Sequence, residues 1–472
     1  MRRAHIGVFL GLVIGVVAAG YGQALDMGEQ ASHVGGGGYL IRNASLVLTM
    51  DPNLGDGGIL GQLENADVLI VGDHIAAVGV NLAGPDGVRI IDGRGMIVMP
   101  GFVDTHEHAM QSIIRGCAAD DTVVGWLARC TSGIRAANPT ENEMHATSYL
   151  HAVGLIDTGV TTVNDWIGRF LNPVYRGSVR ALVDSKLRFS VAVFGFATDG
   201  SDLAATVNMV KQDFIDGNPL ATLQIASSPN PGTAAHVAVA SQLAQSLGVK
   251  LHVHLLENIA DLASNQMQVL QNNGAFALGR DLHVAHFVHA SDSDIATIAS
   301  LDASVAHNPL SNMRLASGIM HYPELQNAGI RIGLGLDGGT NDTTDMFNNM
   351  RAAVGLQRAK SLNALGSPII AEVLRAATLG GAEVLDMESQ IGSLTPGKQA
   401  DVIVIDPRTI NFAPSLSLVN QLITNGQPQN VKDVFVAGRP LKSNGELVGV
   451  NVKKVIKNAQ SAADRIAPFL VP

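Results

Sequence analysis

Between residues 97 and 385 the chain alternates strand-like and helix-like segments eight times, and this rhythm restricts the fold more than any other feature. Short β-rich runs fall at 97–103, 160–165, 188–195, 221–227, 250–255, 282–288, 303–307 and 330–336. Segments with apolar spacing near 3.6 follow, such as Met144 to Asp157, Ala234 to Leu247 and Met346 to Ala359. Eight β/α units over about 290 residues predict a (β/α)8 TIM barrel, whose usual size is about 250. An open doubly wound sheet would want a Gly-rich phosphate loop after its first strand, and Gly101-Phe102-Val103-Asp104 is not one.

The two ends have a different texture. Residues 39–96 and 386–450 carry short β-rich runs separated by turn residues such as Asp51-Pro52-Asn53 and Gly438-Arg439-Pro440. They predict one small composite β-sandwich domain built from both termini, beside a barrel spanning 97–385, with residues 451–472 as a C-terminal helical tail. Hydrophobic residues make up 46% of the chain and charged ones 15%, so a large core is available. Forty-one acids against 31 bases argue against nonspecific nucleic-acid binding, which needs a basic surface.

Arg2 and Arg3 precede an apolar run from Ile6 to Ala19, and small residues follow up to Ala24. The run is about 14 residues, short of the roughly 20 that span a bilayer. It reads as a signal peptide over 1–24, with a membrane anchor as the competing reading. An exported protein, secreted or periplasmic and free of the membrane after cleavage, is expected. Cleavage removes two arginines and no acid, taking the formal charge from −10 to −12. Residues 25–38 then form a flexible leader. Cys117 and Cys130 are the only cysteines, either disulfide-bonded or two buried thiols. With no Cys-x-x-Cys spacing, a thiolate zinc site is excluded.

A barrel places its chemistry at the C-terminal ends of its strands. The first strand ends at His106 and His108, which share a face because strand side chains alternate. On the fifth, His252 and His254 face inward, with His254 nearer the end and His252 packed one layer below. On the sixth, His286 is at the end, while His283 and His289 alternate away and are expected to face helices. The eighth ends at Asp337. His106, His108, His254 and Asp337 provide N and O donors for one divalent metal, Zn2+ in the first place and Fe2+ as the alternative. An open position would hold water whose pKa falls toward neutrality. Taken singly, Asp337 could cap a helix and Glu257 could be a solvated loop acid. Taken together, chance rarely puts His-x-His, His-x-x-Glu, His and Asp at four strand ends in order. Lys186, Lys211 and Lys250 are the lysines between 101 and 257, and none is placed to bridge two metals.

The run Pro100-Gly101-Phe102-Val103-Asp104-Thr105-His106-Glu107-His108 resembles the signature of the amidohydrolase superfamily. So do Gly159 to Val163, His254-x-x-Glu257, Ala285-His286, Ser311 to Gly318 and Asp345-Met346-Phe347. The combination is similar to the mononuclear branch that holds adenosine-type and guanine deaminases and triazine hydrolases. The resemblance implies a distorted barrel with a composite β-domain. It implies His106, His108, His254 and Asp337 as metal ligands, and Asp337 as acceptor of the attacking water's proton. Glu257 would shuttle a proton to a ring nitrogen, and His286 would orient the water or polarise the reacting carbon. Gln111, Trp126, Trp166, Asn308 and Asn312 are the candidate substrate contacts, and Glu107 points away as a structural residue.

The implied activity is a metal-dependent aminohydrolase that attacks a C–N bond of an amino-substituted N-heterocycle with metal-activated hydroxide. The alternatives are an amidase, carbamate hydrolase or hydrolytic dehalogenase on the same site, and more remotely a silent scaffold barrel. Where many nucleoside-type deaminases carry Pro-His-Ala-Pro-Tyr after the fourth strand, this chain reads Ser227-Ser228-Pro229-Asn230-Pro231-Gly232-Thr233. A histidine expected near the substrate is missing, which counts against adenosine-like substrates. The partner is a small molecule; a homodimer is the base-rate expectation. Asn43 and Asn341 match the glycosylation pattern, although Asn341 is too near Asp337 to carry a glycan.

Overall fold

The computed structural model describes residues 38–338 and 343–470. The signal segment, the leader up to residue 37 and Asn341 lie outside the described residues.

Two sheets organise the chain. The first is mixed and nine-stranded, built from both ends. Tyr39–Leu48 pairs antiparallel with Gln62–Val71 and parallel with Arg89–Asp92 and Ile97–Pro100; Val402–Ile405 then pairs antiparallel with Ile97–Pro100 and with Val431–Val436. Strand alternation sorts its side chains into two layers. Leu46, Leu48, Ile97, Met99, Ile403 and Ile405 join the main core shared with the barrel. Val47, Val98, Val402 and Val404 turn the other way, into a separate core with Ile41, Val68 and Phe435. A buried ion pair from Arg188 Nε to Asp401 Oδ2, 2.9 Å, ties the barrel to this sheet.

The second sheet is the barrel. Phe102–His108, Val160–Ile167, Arg188–Val193, Ala221–Ser227, Leu251–Leu255, Leu282–His286, Ser304–His307 and Arg331–Leu334 run parallel, each pairing with the next. The eighth strand continues through Gly335-Leu336 to Asp337–Gly338, which pairs with Glu107 and His108 on the first. The curled sheet therefore closes on itself at the first strand's histidines.

The run expected at 97–103 divides between the sheets. Ile97–Pro100 belongs to the terminal sheet and Phe102–His108 to the barrel. Gly101 is the crossing point: its N–H donates to Asp401 O while Phe102 N donates to Gly159 O. A Cβ at Gly101 would lie 2.1 Å from Thr161 Cγ2, so a side chain there would collide with the second strand.

Cys117 and Cys130 form a disulfide within the excursion that follows the first strand. The C-terminal helix Val452–Ile466 buries Val455, Ala459, Ala462 and Ile466, one helical face, against the helix Glu141–Asp157. Among the described residues, no helix is long and apolar enough to cross a membrane.

Candidate active site

The first strand delivers two imidazoles on one face. His106 Nε2 lies 3.5 Å and His108 Nε2 3.3 Å from Asp337 Oδ1. His108 Nε2 is also 3.2 Å from His254 Nε2. Metal–ligand bonds of about 2.0–2.1 Å in a tetrahedron give ligand separations of about 3.4 Å, close to these three distances; His106, His108 and Asp337 form one group able to hold an ion, and His106, His254 and His286 an adjoining one. His106 Nε2 is buried with no hydrogen-bond partner. An unsatisfied nitrogen inside a ring of nitrogen and carboxylate donors fits a divalent cation.

Protonation agrees with that fit. Burial, together with His108, lowers His106 to about 4. Burial and the neighbouring His106 and His108 hold His254 far below the ordinary imidazole value. Burial pushes Asp337 up, but the adjacent His106 and His108 imidazoles outweigh it and hold the carboxyl far below its usual range. His106 and His254, held neutral beside an ionised carboxylate, suit a cation; His108, which burial pushes down but Asp337 and the Trp166 carbonyl raise above the ordinary imidazole value, gives up its proton when it binds one.

Backbone geometry brings the strand ends together. Asp104 Oδ1 accepts from His106 N (3.2 Å) and from Leu336 N (3.0 Å), so one buried carboxylate aligns the first and eighth strands. Asp337 has φ +65°, the left-handed region, which turns its carboxylate toward the histidines. The following helix is capped instead by Asp345, which accepts from Asn348 N. A Cβ on Gly335 would sit 2.2 Å from Asn308 Oδ1 and 2.9 Å from His106 Cβ, so only glycine lets these two side chains meet there.

His283 overturns its expectation. It does not face the helices: it pairs in register with His252 on the fifth strand and points into the barrel with it, the two rings stacked at 3.7 Å. Alternation would then send His286 outward with Leu255. It reaches the site because the strand breaks there, with His286 at φ +73° and Phe287 at +52°. Period-two reasoning fails at a residue in the left-handed region.

His286 Nδ1 accepts from the side-chain amides of Asn308 (3.2 Å) and Asn312 (3.0 Å), leaving the hydrogen on Nε2. That Nε2 faces Glu257 Oε2 at 3.8 Å. Burial first, and the Asp337 carboxylate second, hold Glu257 far above the usual carboxyl range. Leu256, at φ +50°, donates from its N–H to Gln266 Oε1 at 2.7 Å, which fixes the loop beside Glu257.

Among the other candidates, Gln111 is buried on the turn Ala109–Ile114 directly after His108. Trp126 is buried in the main apolar core. Trp166 touches the cluster: its ring stands edge-on to His254 at 4.4 Å, its carbonyl accepts from His108 Nδ1 at 2.6 Å, and its Nε1 donates to His252 O. Glu107 faces away, accepting from His108 N and lying 3.0 Å from His151 Nε2. Sequence reasoning passed over Gln266 and His236. His236 comes from the helix Ala234–Leu247, and its Nδ1 meets Ser227 Oγ at 2.9 Å. Its Nε2 donates to Phe194 O, so both nitrogens are engaged in the wall. Lys250 points away to Asp386, 2.6 Å.

Residues 97–441 match the amidohydrolase family. The chain belongs to that family. A 5'-deoxyadenosine deaminase of Methanosarcina acetivorans is 30% identical over 440 residues, covering 90% of this chain and 98% of its own. A 5-methylthioadenosine/S-adenosylhomocysteine deaminase of Pelotomaculum thermopropionicum is 29% identical over 441 residues, covering 90% of this amidohydrolase and 98% of its own length. Among solved structures, a zinc-bound adenosine deaminase of Xanthomonas campestris aligns with a TM-score of 0.80 at 27% identity, covering 91% of this chain and 98% of its own. An atrazine chlorohydrolase of Arthrobacter aurescens, complexed with zinc, aligns at 0.81 and 23% identity, covering 90% and 100%, and shares the fold. The amidohydrolase is thus a metal-dependent hydrolase of C–N bonds with a distorted TIM barrel and a composite terminal sheet.

Proposed function

We propose that this amidohydrolase is a zinc-dependent deaminase of amino-substituted N-heterocycles, with His106, His108, His254 and Asp337 holding the ion. The observation that carries the reading is the spacing of His106, His108, His254 and Asp337 beside Glu257, whose carboxyl burial holds far above its usual range. Bound there, a divalent cation supplies Lewis-acid activation of water at neutral pH.

The protein's side chains supply the rest. Asp337, ionised, takes the proton of the attacking water. Glu257, protonated by its burial, gives its proton to a ring nitrogen, which makes the adjacent carbon electrophilic. His286 directs its Nε2–H toward the attacking oxygen, held by Asn308 and Asn312 from behind; these two residues position His286 in addition to their proposed role beside the substrate. Trp166 offers a flat apolar wall for a planar ring, with Gln111 and Trp126 as further candidate contacts. The proton taken by Asp337 passes to the amine, which leaves as ammonia, and Glu257 regains its proton from the added hydroxyl as the carbonyl forms.

The deaminase names among the relatives favour adenosine-type rings. The substitution of Ser227 to Thr233 for the usual histidine-bearing segment favours a departure in what the ring carries. A panel of amino-purines, amino-pyrimidines and amino-triazines assayed for ammonia tests the reading. Ammonia from at least one ring is expected; chloride from a halogenated ring, or carboxylate from an amide, with no ammonia from any, overturns it. We propose in addition that the protein is exported, supported by the leader pattern and the Cys117–Cys130 disulfide. N-terminal sequencing of the mature protein should begin at Leu25; a start at Met1 refutes cleavage.

A further inference from the structure

Beneath the ion-holding cluster lies a second layer of imidazoles. His252 Nε2 is 3.1 Å from His106 Nδ1. His252 stacks on His283 at 3.7 Å with the rings 19° apart. His283 Nδ1 donates to Gln224 Oε1 at 3.2 Å, so the fourth, fifth and sixth strands each contribute one member. All three side chains are buried.

The proton order in this layer is constrained. A cation facing His106 Nε2 requires that nitrogen to be bare, so the ring's one hydrogen sits on Nδ1. The second ring N–H of a ligand histidine ordinarily donates to a carbonyl or a carboxylate. His108 has the Trp166 carbonyl at 2.6 Å. His106 has the imidazole of His252. His252 must then present a bare Nε2 and carry its own hydrogen on Nδ1, a buried nitrogen with no hydrogen-bond partner; either ring order leaves that nitrogen unpartnered, so the cation facing His106 Nε2 decides between them. The opposite order, with His252 donating, moves the His106 hydrogen to Nε2, where it and the cation exclude each other.

We propose that His252 is a positioning residue for the cation site: its bare Nε2 accepts the His106 Nδ1 hydrogen and thereby aims His106 Nε2 at the metal, with His283 and Gln224 holding the His252 ring in place. The role concerns metal affinity and stands apart from the identity of the substrate.

The full chain, stripped of metal and titrated with zinc against a chelator, tests it. His252→Phe keeps a ring of similar size against His283 and removes the acceptor. Zinc affinity should fall by about 10- to 100-fold, the range for losing such a partner. His252→Gln, which restores a carbonyl acceptor, should recover most of it. A His252→Phe protein that binds zinc within twofold of the parent overturns the proposal. So does a His252→Gln protein as weak as His252→Phe, since packing alone would then explain the loss. If His252→Phe does not fold, 15N-histidine spectra of the unaltered zinc-loaded protein decide: His252 protonated on Nδ1 supports the role, and on Nε2 refutes it. A parent protein that takes up no zinc refutes the cation site and this role together, whereas zinc uptake unaffected by His252→Phe refutes this role alone.

Discussion

Behind the terminal sheet, Ile41, Val47, Val68, Val98, Val402 and Val404 form an apolar layer. At the C-terminal end of the barrel, His106, His108, Glu257, His286 and Asp337 are buried nearly as deeply. The first region is complete in itself, because removing aliphatic surface from water is favourable without any partner. The second is not. Buried polar atoms without partners cost roughly 1–3 kcal/mol each, and His106 Nε2 and His286 Nε2 are among them. One region lowers the free energy of the fold, and the other draws on that stability to keep groups ready for a cation and a substrate.

Experiments that separate the two regions would sharpen this contrast. Stripping the metal should abolish activity while the terminal sheet stays folded. Returning zinc to 100-fold above its dissociation constant should raise stability by about 2.7 kcal/mol, read as a rise in Tm; an unchanged Tm would mean the cluster does not bind the ion. Next in size, Glu257→Gln should lower kcat by about 10²- to 10⁴-fold, the span attributed to a lost general acid, with zinc stoichiometry by atomic emission unchanged. Retained turnover would remove the proton-transfer role. In the other region, Ile41→Ala should destabilise by about 2–5 kcal/mol in urea unfolding, with kcat and zinc content of the folded protein intact. A matching loss of zinc would break the contrast. Asp92→Asn, on the exposed pair with Arg94, should leave both Tm and activity unchanged.

Much of the site was legible because barrel chemistry is local to strand ends. His106 and His108 share a face through strand alternation, and the register of the eighth strand against the first sets Asp337 beside them. His283 was misplaced for a physical reason: alternation counts from a regular strand, and His286 is not regular, with φ +73°. Gln266 and His236 were illegible because each acts across loops or from a helix, and nothing in the spacing of residues marks such a meeting.

The sequence by itself determined the eight-unit barrel, the contribution of both ends to a second sheet, and the residue types of a candidate metal site. Those follow from periodicity and donor chemistry, which are properties of neighbouring residues. Tertiary structure alone decided that Cys117 bonds Cys130, that His252 Nε2 meets His106 Nδ1, and that His283 stacks on His252. These depend on which distant backbones come within a few ångströms of one another, a matter of closure and strand register that no local pattern encodes.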